Sequence, residues 1–121
     1  AIVAGTGGAA LLARFGLKGE VKPLDAALPP AALLVNTTSL GMAGQPPFAP
    51  DLAPLPEDAV VYDIVYAPLM TPLLEAAEDR GLDIVDGLEM LVGQAAIAFE
   101  IFFGAEPPRD RDEELRELLL K

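Results

Sequence analysis

Residues 86–104 read Asp-Gly-Leu-Glu-Met-Leu-Val-Gly-Gln-Ala-Ala-Ile-Ala-Phe-Glu-Ile-Phe-Phe-Gly, a pattern that predicts one long apolar helix opening at Asp86-Gly87. At about 100° per residue, Leu88, Leu91, Val92, Ala95, Phe99, Phe102 and Phe103 fall on one arc. Met90, Gln94, Ile97 and Ile101 fall on a second arc beside it, and only Glu89, Gly93 and Glu100 share a polar strip. Such a helix is expected to be wrapped on most sides. The amide of Gln94 then needs a partner, either a neighbouring carbonyl or a ligand, because leaving it unpaired costs on the order of 1–3 kcal/mol.

Elsewhere short apolar runs alternate with helical ones. Residues 1–5 form a brief apolar strand, residues 18–23 a short strand of mixed polarity, and residues 32–35 a continuous apolar strand suited to burial in a parallel sheet. Asn36-Thr37-Thr38 closes that strand, and residues 41–56 are a loop dense in Pro and Gly. Residues 60–66 predict another strand with Tyr66 at its carboxyl end. Thr71-Pro72 sets an N-cap before a proline, so a helix is expected over 72–80, stopping at Gly81. Residues 83–85 form a last strand leading into Asp86-Gly87. In the tail, early acids with Leu115, Leu118 and Leu119 on one face predict an amphipathic closing helix whose charges are a solvated face. The alternation predicts α/β architecture with a mostly parallel sheet and helices on both faces, in which ligands sit at the carboxyl ends of the strands.

Several residues at those ends carry candidate chemistry. The first strand runs into Thr6-Gly7-Gly8-Ala9-Ala10, the Gly-x-Gly-Gly-Ala-Ala turn of a dinucleotide-binding unit, where glycines let backbone approach a pyrophosphate and a helix N-terminus offers N–H groups. Taken alone, an ordinary glycine turn explains it equally well. Asn36 and Thr38 are common turn and helix caps. The Tyr66 hydroxyl can donate to a carboxylate while its ring packs on apolar neighbours, and Pro68 restricts the loop beside it.

Three ordered segments resemble one family. Asp-Gly-Leu-x-Met-Leu-Val-x-Gln-Ala-Ala-x-Ala-Phe, from Asp86 to Phe99, resembles the C-terminal signature of the shikimate dehydrogenases. Leu-Val-Asn-Thr-Thr-Ser-Leu-Gly-Met, from Leu34 to Met42, is similar to their "VNTTPLGM" motif. Tyr-Asp-Ile-Val-Tyr-Ala-Pro-Leu-Met-Thr-Pro-Leu-Leu, from Tyr62 to Leu74, is similar to "YDxVYxPxxTPLL". The resemblance implies a Rossmann-like nucleotide-binding domain over 1–108 and a C-terminal helix over 109–121, in an enzyme that interconverts 3-dehydroshikimate and shikimate with NADP. It places Gly5, Gly7, Gly8 and Ala9 along the pyrophosphate, Thr37 and Thr38 beside the cofactor, and the backbone of Ile64 and Gly87 at the nicotinamide. Tyr66 would reach the substrate carboxylate and Gln94 its ring hydroxyls. The family's catalytic Lys and Asp belong to an N-terminal substrate domain whose motifs have no match here. The alternatives are an NAD-linked quinate/shikimate dehydrogenase paralogue and a non-catalytic nucleotide-binding module.

One departure from the family stands out. Ala10 is followed at once by Leu11-Leu12-Ala13-Arg14-Phe15-Gly16, which looks like the family's second helix end "ALAERFG". By comparison with a usual βαβ unit about 25 residues are absent, among them the segment that separates NADP from NAD binders. Three readings are open: the residues belong between Ala10 and Leu11 without being represented, they are deleted, or 7–16 is one short helix. A break at Ala10–Leu11 is the expectation, because so short a helix makes a poor crossover and cofactor loops are often mobile.

Composition narrows the function classes. The chain of 121 residues has one domain's length, and 52% hydrophobic residues suffice for a core. Eight basic against nineteen acidic residues give a net charge of −11, which repels polyphosphate and anionic lipid, so neither nucleic acid nor a membrane is an expected partner. With no Cys and no His there is no disulfide, no thiolate and no imidazole base, and no metal is expected. No apolar run approaches the ~20 residues needed to span a bilayer. No basic segment precedes the first apolar run, so a cytoplasmic protein is expected. The expected partner is a small-molecule substrate, with a homodimer as the candidate assembly.

Overall fold

The computed structural model describes every residue except Ala1, Gly5, Thr6, Gly7, Leu17 and Lys121, and at positions 2–4, 8, 9 and 11 the backbone alone. Strand β1 (Ile2–Ala4), helix α1 (Gly8–Phe15) and strand β2 (Glu20–Lys22) form one unit. Strands β3 (Leu33–Asn36) and β4 (Val60–Asp63), helix α2 (Pro72–Asp79), strand β5 (Asp83–Val85) and helix α3 (Gly87–Phe103) form the next. A 3-10 turn at Arg109–Arg111 leads into helix α4 (Asp112–Leu119). All ladders among the described residues are parallel: β1 with β2, and β3 with β4 with β5. The α/β, parallel-sheet expectation therefore holds.

The core lies between β4, α2 and the proline-rich loop ahead of β4. Leu52, Leu55, Ala59, Val61, Leu73, Leu74, Ala77 and Leu82 form one buried cluster. Residues i, i+1 and i+4 of α2 supply Leu73, Leu74 and Ala77, the face that a 3.6-residue period turns towards a sheet. Thr71 caps α2, its hydroxyl accepting from the Leu74 N–H at 3.3 Å, and Pro72 follows in the first turn. Gly81, at φ +72°, ends that helix in the left-handed region open to glycine.

Helix α1 passes through Ala10–Leu11, and its eight residues bring β2 parallel to β1. Three expectations are corrected. Strand β3 is not fully buried: among the described residues it is the edge of its ladder, and Leu33 and Val35 are exposed. Strand β4 ends at Asp63 instead of Tyr66: the Ile64 N–H makes a last cross-strand bond to the Asn36 carbonyl at 3.1 Å, and the next N–H, of Val65, turns away to the Asp63 carboxylate at 3.0 Å. Helix α3 is not wrapped on most sides: it buries Gly87, Leu88 and Val92, while Ile97, Ile101, Phe102 and Phe103 are largely exposed. Helix α4 forms, but Leu115, Leu118 and Leu119 are likewise exposed. Periodicity fixes which face of a helix is apolar; it does not provide the surface that covers it.

Candidate functional site

The carboxyl ends of β3 and β4 are joined by a buried polar knot. Asn36 ends β3 and is 2% exposed, and Asp63 ends β4 and is wholly buried. The Asn36 amide donates to Asp63 Oδ1 at 3.0 Å and to the Leu40 carbonyl at 3.1 Å. Asp63 Oδ2 accepts from the hydroxyl of Thr71, also wholly buried, at 2.8 Å. Two strand ends and the start of α2 thus meet on one carboxylate. No cation partners it among the described residues; neutral donors reach both of its oxygens, as a buried polar group requires.

This knot shapes the turn after β3. Asn36 Oδ1 accepts from the Thr38 N–H at 3.0 Å and the Thr38 hydroxyl at 2.7 Å, and that hydroxyl accepts from the Leu40 N–H at 3.1 Å. The Thr38 side chain is therefore committed to the turn. Thr37 is exposed and, with Thr38, Asn36, Val35 and Lys22, lines a cavity of about 660 Å3 between β3 and the segment after β2.

Across the strand ends, α3 begins against the backbone that follows β4. A Cβ on Gly87 would stand 2.4 Å from the Ile64 oxygen and 2.5 Å from the Val65 oxygen, so only glycine fits. Asp86 caps the helix, Oδ1 accepting from the Glu89 N–H at 2.9 Å. Arg116 of α4 reaches back to the same carboxylate, donating through Nη1 to Oδ1 at 3.1 Å and through Nη2 to Oδ2. Burial pushes the Asp86 carboxyl up, but the Arg116 hydrogen bond, the Glu89 N–H, the Arg116 charge and the Leu88 N–H outweigh it and hold it below the ordinary carboxylate range.

The structure thus brings Ile64 and Gly87 into contact and places Thr37 and Thr38 at the neighbouring strand end. Tyr66 lies two residues beyond Ile64 and is 57% exposed. Gln94 is also exposed, so the expected cost of an unpaired buried amide does not arise within this chain. Seven residues after Gly87, it lies within about 20° of the same helix face and about 10 Å further along the axis. Gly8 and Ala9 open α1, whereas Gly5 and Gly7 lie outside the described residues. Sequence marks Thr71 as a helix cap, which it is, but gives no sign of Asp63 or Arg116. Asp63 and Thr71 stand inside one motif, yet nothing in spacing shows that two residues eight apart share a hydrogen bond.

Comparison with known proteins bears on the same region. A model of the shikimate 5'-dehydrogenase C-terminal domain matches residues 87–115. The shikimate dehydrogenase (NADP(+)) of Sphingopyxis alaskensis is 72% identical over 110 residues, covering 91% of this chain and 40% of that protein. The enzyme of the same name from Methylobacterium radiotolerans is 61% identical over 98 residues, covering 78% and 35%. Shikimate 5-dehydrogenase of Thermus thermophilus, solved with NADP(H) and shikimate, superposes with a TM-score of 0.68 at 35% identity, covering 90% of this chain and 41% of that one. Quinate dehydrogenase of Corynebacterium glutamicum, solved with NAD, superposes with a TM-score of 0.73 at 33% identity over 93% and 40%. The chain spans about two fifths of the length of such relatives.

Proposed function

We propose, for a chain that by sequence and fold belongs to the shikimate dehydrogenase family, that residues 1–108 are the nucleotide-binding part of an NADP-dependent oxidoreductase converting 3-dehydroshikimate to shikimate in the cytoplasm. The observation that carries this reading is the steric fit at Gly87. A helix N-terminus packed against the Ile64 and Val65 carbonyls stands at the carboxyl ends of the strands, where ligands of open α/β sheets bind. The absence of a Cβ at 87 and the tethered turn at Thr37-Thr38 suit a dinucleotide, and the NADP(+) relatives at 61–72% identity favour NADP over NAD. Bound there, NADP would supply the hydride.

The chain's own residues bind and orient. Tyr66 extends from the loop after β4 and donates its hydroxyl to the substrate carboxylate, while Gln94 offers an amide to the ring hydroxyls from the Gly87 face of α3. Gly8 and Ala9, at the start of α1, would meet the pyrophosphate, a role the turn motif also assigns to Gly5 and Gly7. The group that accepts the hydroxyl proton belongs to an N-terminal substrate domain. Calorimetric titration of the purified 121-residue chain with NADP+ and with NAD+ tests the reading. Saturable binding of NADP+ is expected; no binding of either overturns it.

A further inference from the structure

Helix α4 buries no residue of its own, and the Arg116 guanidinium spans thirty positions to reach both oxygens of Asp86. The pair is partly shielded, with side-chain exposures of 25% and 12%. A two-pronged guanidinium–carboxylate contact fixes direction as well as distance. Asp86 in turn caps α3 and precedes Gly87, whose α-carbon has no room to move towards the Ile64 and Val65 carbonyls. The Asp86 carboxylate is thus tied by its cap bond to the first turn of α3, beside the Gly87 contact.

We propose that Arg116 is a positioning residue for the dinucleotide site: from α4, through Asp86, it holds the first turn of α3 in register with the Ile64–Val65 backbone. The inference rests on the cofactor reading given above. The titratable groups around the pair are Glu89 on α3, Glu113 beside Arg116 on α4, and Tyr62 on β4, whose phenol is pushed up by burial first and by the Glu89 charge second. Arg109 and Asp112 line the same small groove between α3 and α4 and pair with each other at 2.5 Å, so neither replaces Arg116 at Asp86. Without the guanidinium, burial still disfavours the Asp86 carboxylate while the two main Arg116 contributions that opposed it are gone. Its titration then moves up, and protonation weakens the cap.

The test is NADP+ affinity by calorimetry for wild type, Arg116→Ala, Arg116→Lys, Asp86→Asn and Leu118→Ala, measured from about pH 4 to 8, which spans the ordinary carboxylate midpoint. Leu118→Ala alters an exposed position of α4 away from the pair. Expected are about tenfold weaker binding for Arg116→Ala at neutral pH, a further loss relative to wild type as the pH falls, and partial recovery in Arg116→Lys. Asp86→Asn should weaken binding without the added pH dependence, since Asn still caps a helix. Leu118→Ala should match wild type. Unchanged affinity in Arg116→Ala overturns the proposal, as does an equal loss in Leu118→Ala with no change in pH profile. If Arg116→Ala fails to fold, Arg116→Lys and Asp86→Asn carry the same comparison. Failure of wild type itself to bind removes the cofactor reading and this inference with it, which separates that outcome from the others.

Discussion

The α-carbon of Gly87 and the carbonyl oxygen of Ile64 approach so closely that a methyl group at 87 would stand 2.4 Å from the oxygen. Both neighbours are backbone, so neither yields by a rotamer change. Gly87→Ala should push α3 from the strand ends, costing about 1–3 kcal/mol as other overpacked sites do. Urea unfolding reads the loss, and an unchanged midpoint would show that the helix shifts freely.

Asp63 holds three elements at once. Asp63→Ala removes the acceptor of the Val65 N–H and the Thr71 hydroxyl and one of the two acceptors of the Asn36 amide. At about 1–3 kcal/mol per stranded buried donor, most of a domain's usual margin should vanish. Asp63→Asn keeps the shape and one acceptor and should lose less. Equal unfolding midpoints for the two variants would contradict this account of the knot.

Asp86 gives a signed pH dependence. Its folded pKa lies below the unfolded value, so its contribution to stability is present above the ordinary carboxylate midpoint and is lost as pH falls through the folded one. The stability gap between wild type and Arg116→Ala should therefore be widest above about pH 5 and close under stronger acid. Chemical denaturation across that range measures it.

Gln94 is exposed, so Gln94→Leu should leave the melting temperature of this chain nearly unchanged. With the chain fused to the N-terminal part of the Sphingopyxis alaskensis relative, the same change should lower kcat/KM for shikimate by about ten- to a hundredfold, the value of one lost hydrogen bond. Steady-state constants equal to those of the unmutated fusion would assign Gln94 no role with substrate.

By itself the 121-residue chain should not oxidise shikimate. Removing the hydroxyl proton needs a base within about 2.6–3.2 Å of it. The chain has no His; Lys22 pairs with Glu20 at 3.3 Å, Lys18 lies in the same segment, and Lys121 ends the sequence. Turnover by purified chain of confirmed mass would place the base within these residues.

Local chemistry determined much of this protein from sequence alone. Thr71-Pro72, Gly81, Asp86-Gly87 and Gly104 bounded two helices to within a residue, because caps, a proline and left-handed glycines act over a few bonds. The motifs at 34–42, 62–74 and 86–99 gave the family and the parallel α/β class. Other properties depended on residues far apart in the chain. That Asn36 meets Asp63, that Gly87 is glycine because of the Ile64 and Val65 carbonyls, and that Arg116 completes Asp86 are contacts across twenty-two to thirty positions, with no local signature. The exposure of α3 and β3 was also decided in three dimensions. An apolar stripe records which face a helix or strand would bury, and only the packed structure determines whether a neighbour is there to bury it.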